Sequence, residues 1–199
     1  MSKVQERINY NNYKRTADDI IQLLDKIHES QLSQKRWVWE LMQNAKDVPN
    51  QFGRVSVLIE LWKDKLVFSH NGDHFTDENI TCLIQQVSSK DSANEGEHKQ
   101  TGKFGTGFIT THLLSKIIDV KGVVRNPNTD EYQNFALALD RSARKSEDMI
   151  DSIIQNLEWV KGLDKGNYQD FPIAKDYESR TEDDFHTSFT YHLNEDSLK

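Results

Sequence analysis

The sequence predicts an α/β domain of the α+β kind, a two-layer sandwich in which a mixed, mainly antiparallel sheet carries helices on one face. Three observations predict it. The apolar period changes from helical to alternating just past Pro49. Helical and strand-like segments then interleave without strict βαβ order. Finally, 36% hydrophobic and 29% charged residues in 199 suit one globular domain with a modest core and a charged surface.

Each element has its own signal. Residues 1–15 are polar and patternless, with Ile8, Tyr10 and Tyr13 as the only anchors, so they read as an N-terminal arm before a single domain spanning 16–199. Thr16 followed by Asp19 has the form of a capping box, and Ile20, Ile21, Leu23, Leu24 and Ile27 recur at helical spacing, so a helix is expected from Thr16. A second helical run covers Gln34 to about Val48 and stops at Pro49. Val55, Val57, Ile59 and Leu61 then alternate with Ser56, Leu58 and Glu60, and Leu66-Val67-Phe68 follows a Lys63-Asp64 turn, which predicts a β-hairpin. Thr76 is the expected N-cap of a helix to Val87 that buries Ile80, Leu83, Ile84 and Val87. From Ser88 to Lys103 the only aliphatic side chain is Ala93, so this is a long polar loop, of the kind usually found as a lid or a disordered segment. Strands follow at Ile117–Val124 and Tyr132–Leu139. Met149, Ile150, Ile153, Ile154 and Leu157 mark a helix, residues 161–180 are irregular, and Phe185 to Leu193 alternate as a last strand.

Composition narrows the function classes. A net charge of −7 argues against nucleic-acid binding over the whole surface and leaves a local basic groove open. The apolar runs fall far short of the roughly 18 residues of a membrane helix, and the N-terminus lacks a signal-peptide core, so no membrane association and a cytoplasmic location are expected. The single cysteine, Cys82, lies in an apolar helical stripe and reads as a small core residue. Seven histidines without a metal-type cluster give no zinc site.

Two stretches carry chemistry. Thr101-Gly102-Lys103-Phe104-Gly105-Thr106-Gly107-Phe108 runs directly into Ile109-Thr110-Thr111-His112-Leu113-Leu114, the expected first turns of a helix. Main chain without side chains can curl its N–H groups onto an anion, and a helix N-terminus adds positive potential, so the run suits phosphate. Taken alone, a Gly-rich turn opening a helix is more often plain punctuation. In the second helix, Glu40, Asn44 and Asp47 fall within about 60° of one another at roughly 100° per residue, opposite Val38, Leu41, Met42 and Ala45. A solvated face explains such a triplet. So does a hydrated magnesium ion beside an activated water, because Mg²⁺ takes oxygen ligands and a nucleophilic water needs a base.

Glu40-Leu41-Met42-Gln43-Asn44-Ala45-Lys46-Asp47 resembles the first nucleotide-binding box of the GHKL superfamily, which joins DNA gyrase, the ninety-kilodalton heat-shock chaperones, histidine kinases and MutL. Gly102 to Phe108 is similar to its later glycine box in the form the chaperones carry. The order of the boxes, the hairpin between them and the polar loop before the glycines agree, over roughly residues 30–195.

The resemblance implies a Bergerat-type fold binding ATP with Mg²⁺. It implies Glu40 as the general base toward water at the γ-phosphate, Asn44 as the residue on Mg²⁺, and Asp47 on the nucleotide side of the helix. Residues 88–103 would be the ATP lid, with Ser88, Ser89 and Lys90 touching nucleotide at its start. The main chain of Thr101, Gly102, Lys103, Phe104, Gly105, Thr106, Gly107 and Phe108 would meet the phosphates. His186-Thr187-Ser188-Phe189 is similar to the family's last strand, which would bring Thr187 to the adenine, although an ordinary strand threonine fits as well. One box departs from the pattern. Where the family has Asp-x-Gly-x-Gly, this chain has His70-Asn71-Gly72-Asp73-His74, so a neutral His70 nitrogen, the Asn71 amide oxygen or, after a shift of the loop, Asp73 would have to accept from the adenine amino group. The resemblance further implies ATP hydrolysis to ADP and phosphate as a conformational switch, nucleotide-driven pairing of two such domains as a homodimer, and a longer protein whose C-terminal region receives the ATP cycle: chaperone-like, DNA-directed, or a defence or signalling effector. A nucleotide sensor without turnover and a pure interaction domain are the other readings.

Overall fold

The computed structural model describes residues 2–29, 36–86, 107–126, 129–164 and 171–193. The elements in chain order are α1 (Lys3–Glu29), α2 (Trp37–Lys46), β1 (Val57–Leu61), β2 (Lys65–His70), α3 (Asp77–Gln85), a 3-10 helix (Phe108–Leu113), β3 (Ile117–Arg125), β4 (Tyr132–Asp140), α4 (Ser146–Asp164) and β5 (Thr187–His192). The strands form one sheet in the order β1-β2-β5-β3-β4. Every pairing between these strands is antiparallel, so the sheet is less mixed than expected.

Register and burial separate its two faces. Phe68 lies opposite Phe189, Phe189 opposite Val120, and Val120 opposite Leu137, all on one face and all buried. Lys121, Ala136 and Ala138, on the other face, are exposed. Helices cover the buried face through Ala17, Ile20 and Ile27 of α1, Leu41 and Ala45 of α2, Ile80, Leu83 and Ile84 of α3, and Met149, Ile150, Ile153 and Leu157 of α4. The result is two layers.

Two features depart from the sequence reading at the N-terminus and after the glycines. Helix α1 begins at Lys3 rather than Thr16, so residues 3–15 are helical. Its start signal is Ser2, whose hydroxyl accepts from the Gln5 N–H at 3.2 Å, a single N-cap bond placed before any apolar pattern could draw attention to it. Thr16 sits mid-helix, and its hydroxyl donates back to the Asn12 carbonyl. The stretch after Gly107 is a six-residue 3-10 helix instead of an α-helix, too short for an appreciable macrodipole. The Thr76 cap of α3 stands as read: its hydroxyl accepts from Asn79 N–H at 3.1 Å, and the Asn79 amide oxygen accepts from Thr76 N–H.

Packing across β3 fixes one residue by size. A Cβ on Gly122 would sit 2.7 Å from the Phe75 ring and 2.8 Å from the Phe135 ring. Those rings meet edge to face at 5.3 Å. Gly122→Ala is therefore expected to cost about 1–3 kcal/mol through overpacking, read as a lowered midpoint in urea unfolding with an unchanged slope.

Candidate functional site

Helix α2 lies against the segment that begins at Gly107, and Glu40 stands beside that glycine. A Cβ built on Gly107 would lie 2.0 Å from Glu40 Oε2 and 2.6 Å from its carboxyl carbon. No other residue type can hold position 107 without moving that carboxylate, although the backbone there is ordinary helical (φ −68°). The other carboxylate oxygen, Oε1, pairs with Arg36 Nη2 at 3.2 Å one turn earlier. Glu40 is thus held from both sides: a guanidinium on Oε1, and bare main chain beside Oε2.

One turn on, Asn44 is 7% exposed, and among the described residues its buried amide nitrogen has no hydrogen-bond partner. Buried polar groups are normally satisfied, so an orphan amide in line with Glu40 is a place for a polar ligand. Its carboxamide oxygen has the hard character that Mg²⁺ takes, and among the described residues no cluster of three or more His, Cys, Asp or Glu forms a protein metal cage. That donor set fits an ion held mainly by phosphate oxygens and water. Asp47 ends α2 as its C-cap, partly buried.

The loop after β2 packs on this end of α2. Asp73 N–H donates to the Val48 carbonyl at 3.0 Å. A Cβ on Gly72 would meet that carbonyl at 2.5 Å, so the approach requires glycine. His70, the last residue of β2, pairs across the sheet with Thr187, the first of β5, and both are buried. Gly72 N–H donates to His70 Nδ1 at 3.1 Å, which leaves the ring proton on Nε2. Burial lowers the His70 pKa to about 4 and keeps the ring neutral. Asn71 is also committed: its amide oxygen accepts from Ser56 N–H at 2.6 Å and its nitrogen donates to the Glu182 carbonyl. The two expected acceptors for an adenine amino group, a His70 nitrogen and the Asn71 oxygen, are therefore already in use, and His70 presents a donor.

The structure brings Glu40, Asn44, Asp47, Gly107 and Phe108 to one region, with His70, Asn71, Gly72 and Thr187 at the adjoining end of the sheet. Phe108 is buried and packs its ring on Phe189 at 5.6 Å, which ties the post-glycine segment to β5. Ser88, Ser89, Lys90, Thr101, Gly102, Lys103, Phe104, Gly105 and Thr106, and with them the lid, lie outside the described residues.

Against this geometry, neither a scan of protein-family models nor a search of curated proteins finds a match for the chain. Among the described residues no helix is long and apolar enough to cross a membrane.

Buried polar groups that the sequence reading passed over tie the end of α3 to the 3-10 helix and to the residue after β4. Gln86 follows α3 in a left-handed conformation (φ 52°), unusual for a non-glycine residue. Its N–H caps the Cys82 carbonyl at 2.7 Å, and its side chain donates to His112 Nε2 at 3.0 Å. His112 Nδ1 donates to the Ser115 carbonyl, so both ring nitrogens are used. Burial, then the nearby Arg141 charge, lower the His112 pKa to about 3. Arg141, although it heads a run of charged residues in the sequence, is 3% exposed and donates to the Ile84 carbonyl at the end of α3. The Gln86–His112 contact thus joins the end of α3 to the 3-10 helix.

Proposed function

We propose that this domain binds ATP with Mg²⁺ and hydrolyses it to ADP and phosphate, as a member of the superfamily its two boxes resemble. The observation that carries the reading is the contact of the Glu40 carboxylate with Gly107, because the two boxes are far apart in sequence and nothing in their composition requires them to meet. Glu40 Oε2 would take the proton of the attacking water as its oxygen bonds to the γ-phosphorus and the bond to the β–γ bridging oxygen breaks, leaving ADP. Arg36, by holding Oε1, would fix which oxygen faces that water. Asn44 would hold Mg²⁺, which when bound supplies charge neutralisation at the phosphate oxygens. Main-chain N–H groups leading to Gly107 would meet charge developing on the phosphoryl group.

By the same resemblance, nucleotide would work as a switch that pairs two such domains, in a larger chaperone-like, DNA-directed or defence protein. The test is phosphate release from Mg·ATP by the wild type and by Glu40→Ala, with calorimetry of ATP binding to both. Binding with equal release from the two chains would leave a nucleotide sensor. Absence of binding to the wild type would leave an interaction domain.

A further inference from the structure

The sheet has two edges, and the fold covers only one of them. At the β4 edge, Asn134 N–H donates to the Pro172 carbonyl and Ala174 N–H to the Tyr132 carbonyl, each at 2.8 Å, and Gln133 bridges to Ile173. Farther along, Asn156 of α4 donates to the Ala138 carbonyl at 3.1 Å, and Ser152 to the Asp140 carbonyl at 2.9 Å. The β4 edge is thus in use at both of its ends. At the β1 edge the main chain is open: among the described residues no strand or bridge lies beyond β1.

Which groups β1 turns outward follows from its pairing with β2. Asn71 N–H donates to the Ser56 carbonyl and Trp62 N–H to the Lys65 carbonyl, so Ser56, Leu58, Glu60 and Trp62 spend their main chain on β2. The alternate residues Val57, Ile59 and Leu61 aim their N–H and C=O groups out of the sheet. The side chains along this edge are apolar as well: Leu58, Ile59, Leu61 and Trp62 are 42%, 44%, 70% and 55% exposed. Sheet edges are commonly blunted by lysine, proline or a bulge, and none of these interrupts 57–61.

We propose that the β1 edge pairs with the β1 edge of a second copy of this chain, antiparallel about a two-fold axis at Ile59, so that two five-stranded sheets become one. The strand is self-complementary in that register. Ile59 faces Ile59 and Val57 faces Leu61, so every outward residue of β1 meets another with which it can exchange both N–H···O bonds. Glu60 faces Leu58. Arg54 of each copy comes level with Asp64 of the other, both exposed and opposite in charge. Sliding the copies two residues one way sets Glu60 against Glu60, and sliding them the other way carries Leu61 past the start of the partner strand. A head-to-tail array through β1 and β4 is blocked by the groups already seated on β4, which leaves the closed pair. The inference stands apart from the nucleotide reading, because this pairing needs no ATP.

The test is sedimentation equilibrium of the 199-residue chain with and without Mg·ATP. A dimer is expected in both, and Ile59→Pro and Ile59→Lys should each raise its dissociation constant about tenfold or more. Proline removes an N–H that β2 does not use, and lysine sets two like charges together at the axis, so neither takes a hydrogen bond from the fold. Circular dichroism melts show that each variant is folded. In a Cys82→Ser background, Ile59→Cys should oxidise to a disulfide-linked dimer, because facing residues of a hydrogen-bonded pair lie about 5.5 Å apart at Cα. Leu58→Cys, which faces Glu60, should not. A monomeric wild type would overturn the proposal and leave the edge to a strand of another protein. So would a dimer seen only with Mg·ATP, one that both Ile59 variants leave intact, or cross-linking through residue 58 in place of 59. Each of these outcomes leaves the ATPase reading standing.

Discussion

Glu40→Gln is expected to release phosphate from Mg·ATP between about 10² and 10⁴ times more slowly than the wild type while binding ATP with similar affinity. The change preserves shape. The amide oxygen still accepts from Arg36, the side chain still fills the space beside Gly107, and only the capacity to take a proton disappears. Gly107→Ala approaches the same group from the other side. Its new methyl would lie 2.0 Å from Oε2, so the carboxylate must move, and a displacement of about 1 Å at a reacting centre costs about 10²-fold in rate. Because the alanine would act through Glu40, Gly107→Ala placed on top of Glu40→Gln should lower the rate little further. Full additivity of the two would show that residue 107 serves the reaction by another route. Unchanged turnover in Glu40→Gln, at any affinity, would remove the carboxylate from the chemistry altogether.

The sequence made the layers legible because they depend on period: Phe68, Val120, Leu137 and Phe189 each recur in alternation, and Ile80, Leu83 and Ile84 at helical spacing. Capping at Thr76 was legible for the same local reason. Extension of α1 back to Lys3 was not, because the first turns bury almost nothing and are set by Ser2, a single polar side chain. At the site, Glu40, Asn44 and Asp47 share a helix face and so could be grouped from spacing, whereas the approach of Gly107 to Glu40 is a tertiary contact between segments 67 residues apart. What spacing could not reveal was which side chains are already spent. His70 and Asn71 look like acceptors on paper; Gly72 N–H and Ser56 N–H occupy them. Arg141 reads as one charge in a charged run, yet its aliphatic stem and guanidinium thread to the end of α3. Tyr177 and Arg180 come from a stretch without period, and only folding gives them Asp73 as a neighbour.

Acid is expected to destabilise this domain over two pH ranges, the higher of which belongs to buried histidines. His70 and His112 are neutral in the folded chain, with pKa values lowered to about 4 and about 3, whereas unfolded histidine titrates near 6.5. Both shifts are downward, so the unfolded state binds more protons wherever pH lies between the two values. The stability they contribute is complete above pH 6.5 and is lost as pH falls toward about 4. Midway, near pH 5.5, the unfolded chain should carry close to two more protons than the folded one, a slope of roughly 2–3 kcal/mol per pH unit. By pH 4.5 the accumulated loss is on the order of 4 kcal/mol, a large share of an ordinary domain's stability. Asp73 contributes only at lower pH. Burial pushes its carboxyl up, but the His74 hydrogen bonds and charge and the Tyr177 hydroxyl outweigh that and hold it below the usual value of 3.8. Urea unfolding at half-unit steps from pH 7.5 to 4.5 measures the slope. His70→Gln should remove about one proton from it, since glutamine keeps an acceptor for Gly72 N–H and cannot titrate. A slope that begins only below pH 4.5, or one that His70→Gln leaves unchanged, would mean that the histidines are not buried as neutral rings, and the tautomer assigned to His70 would fall with them.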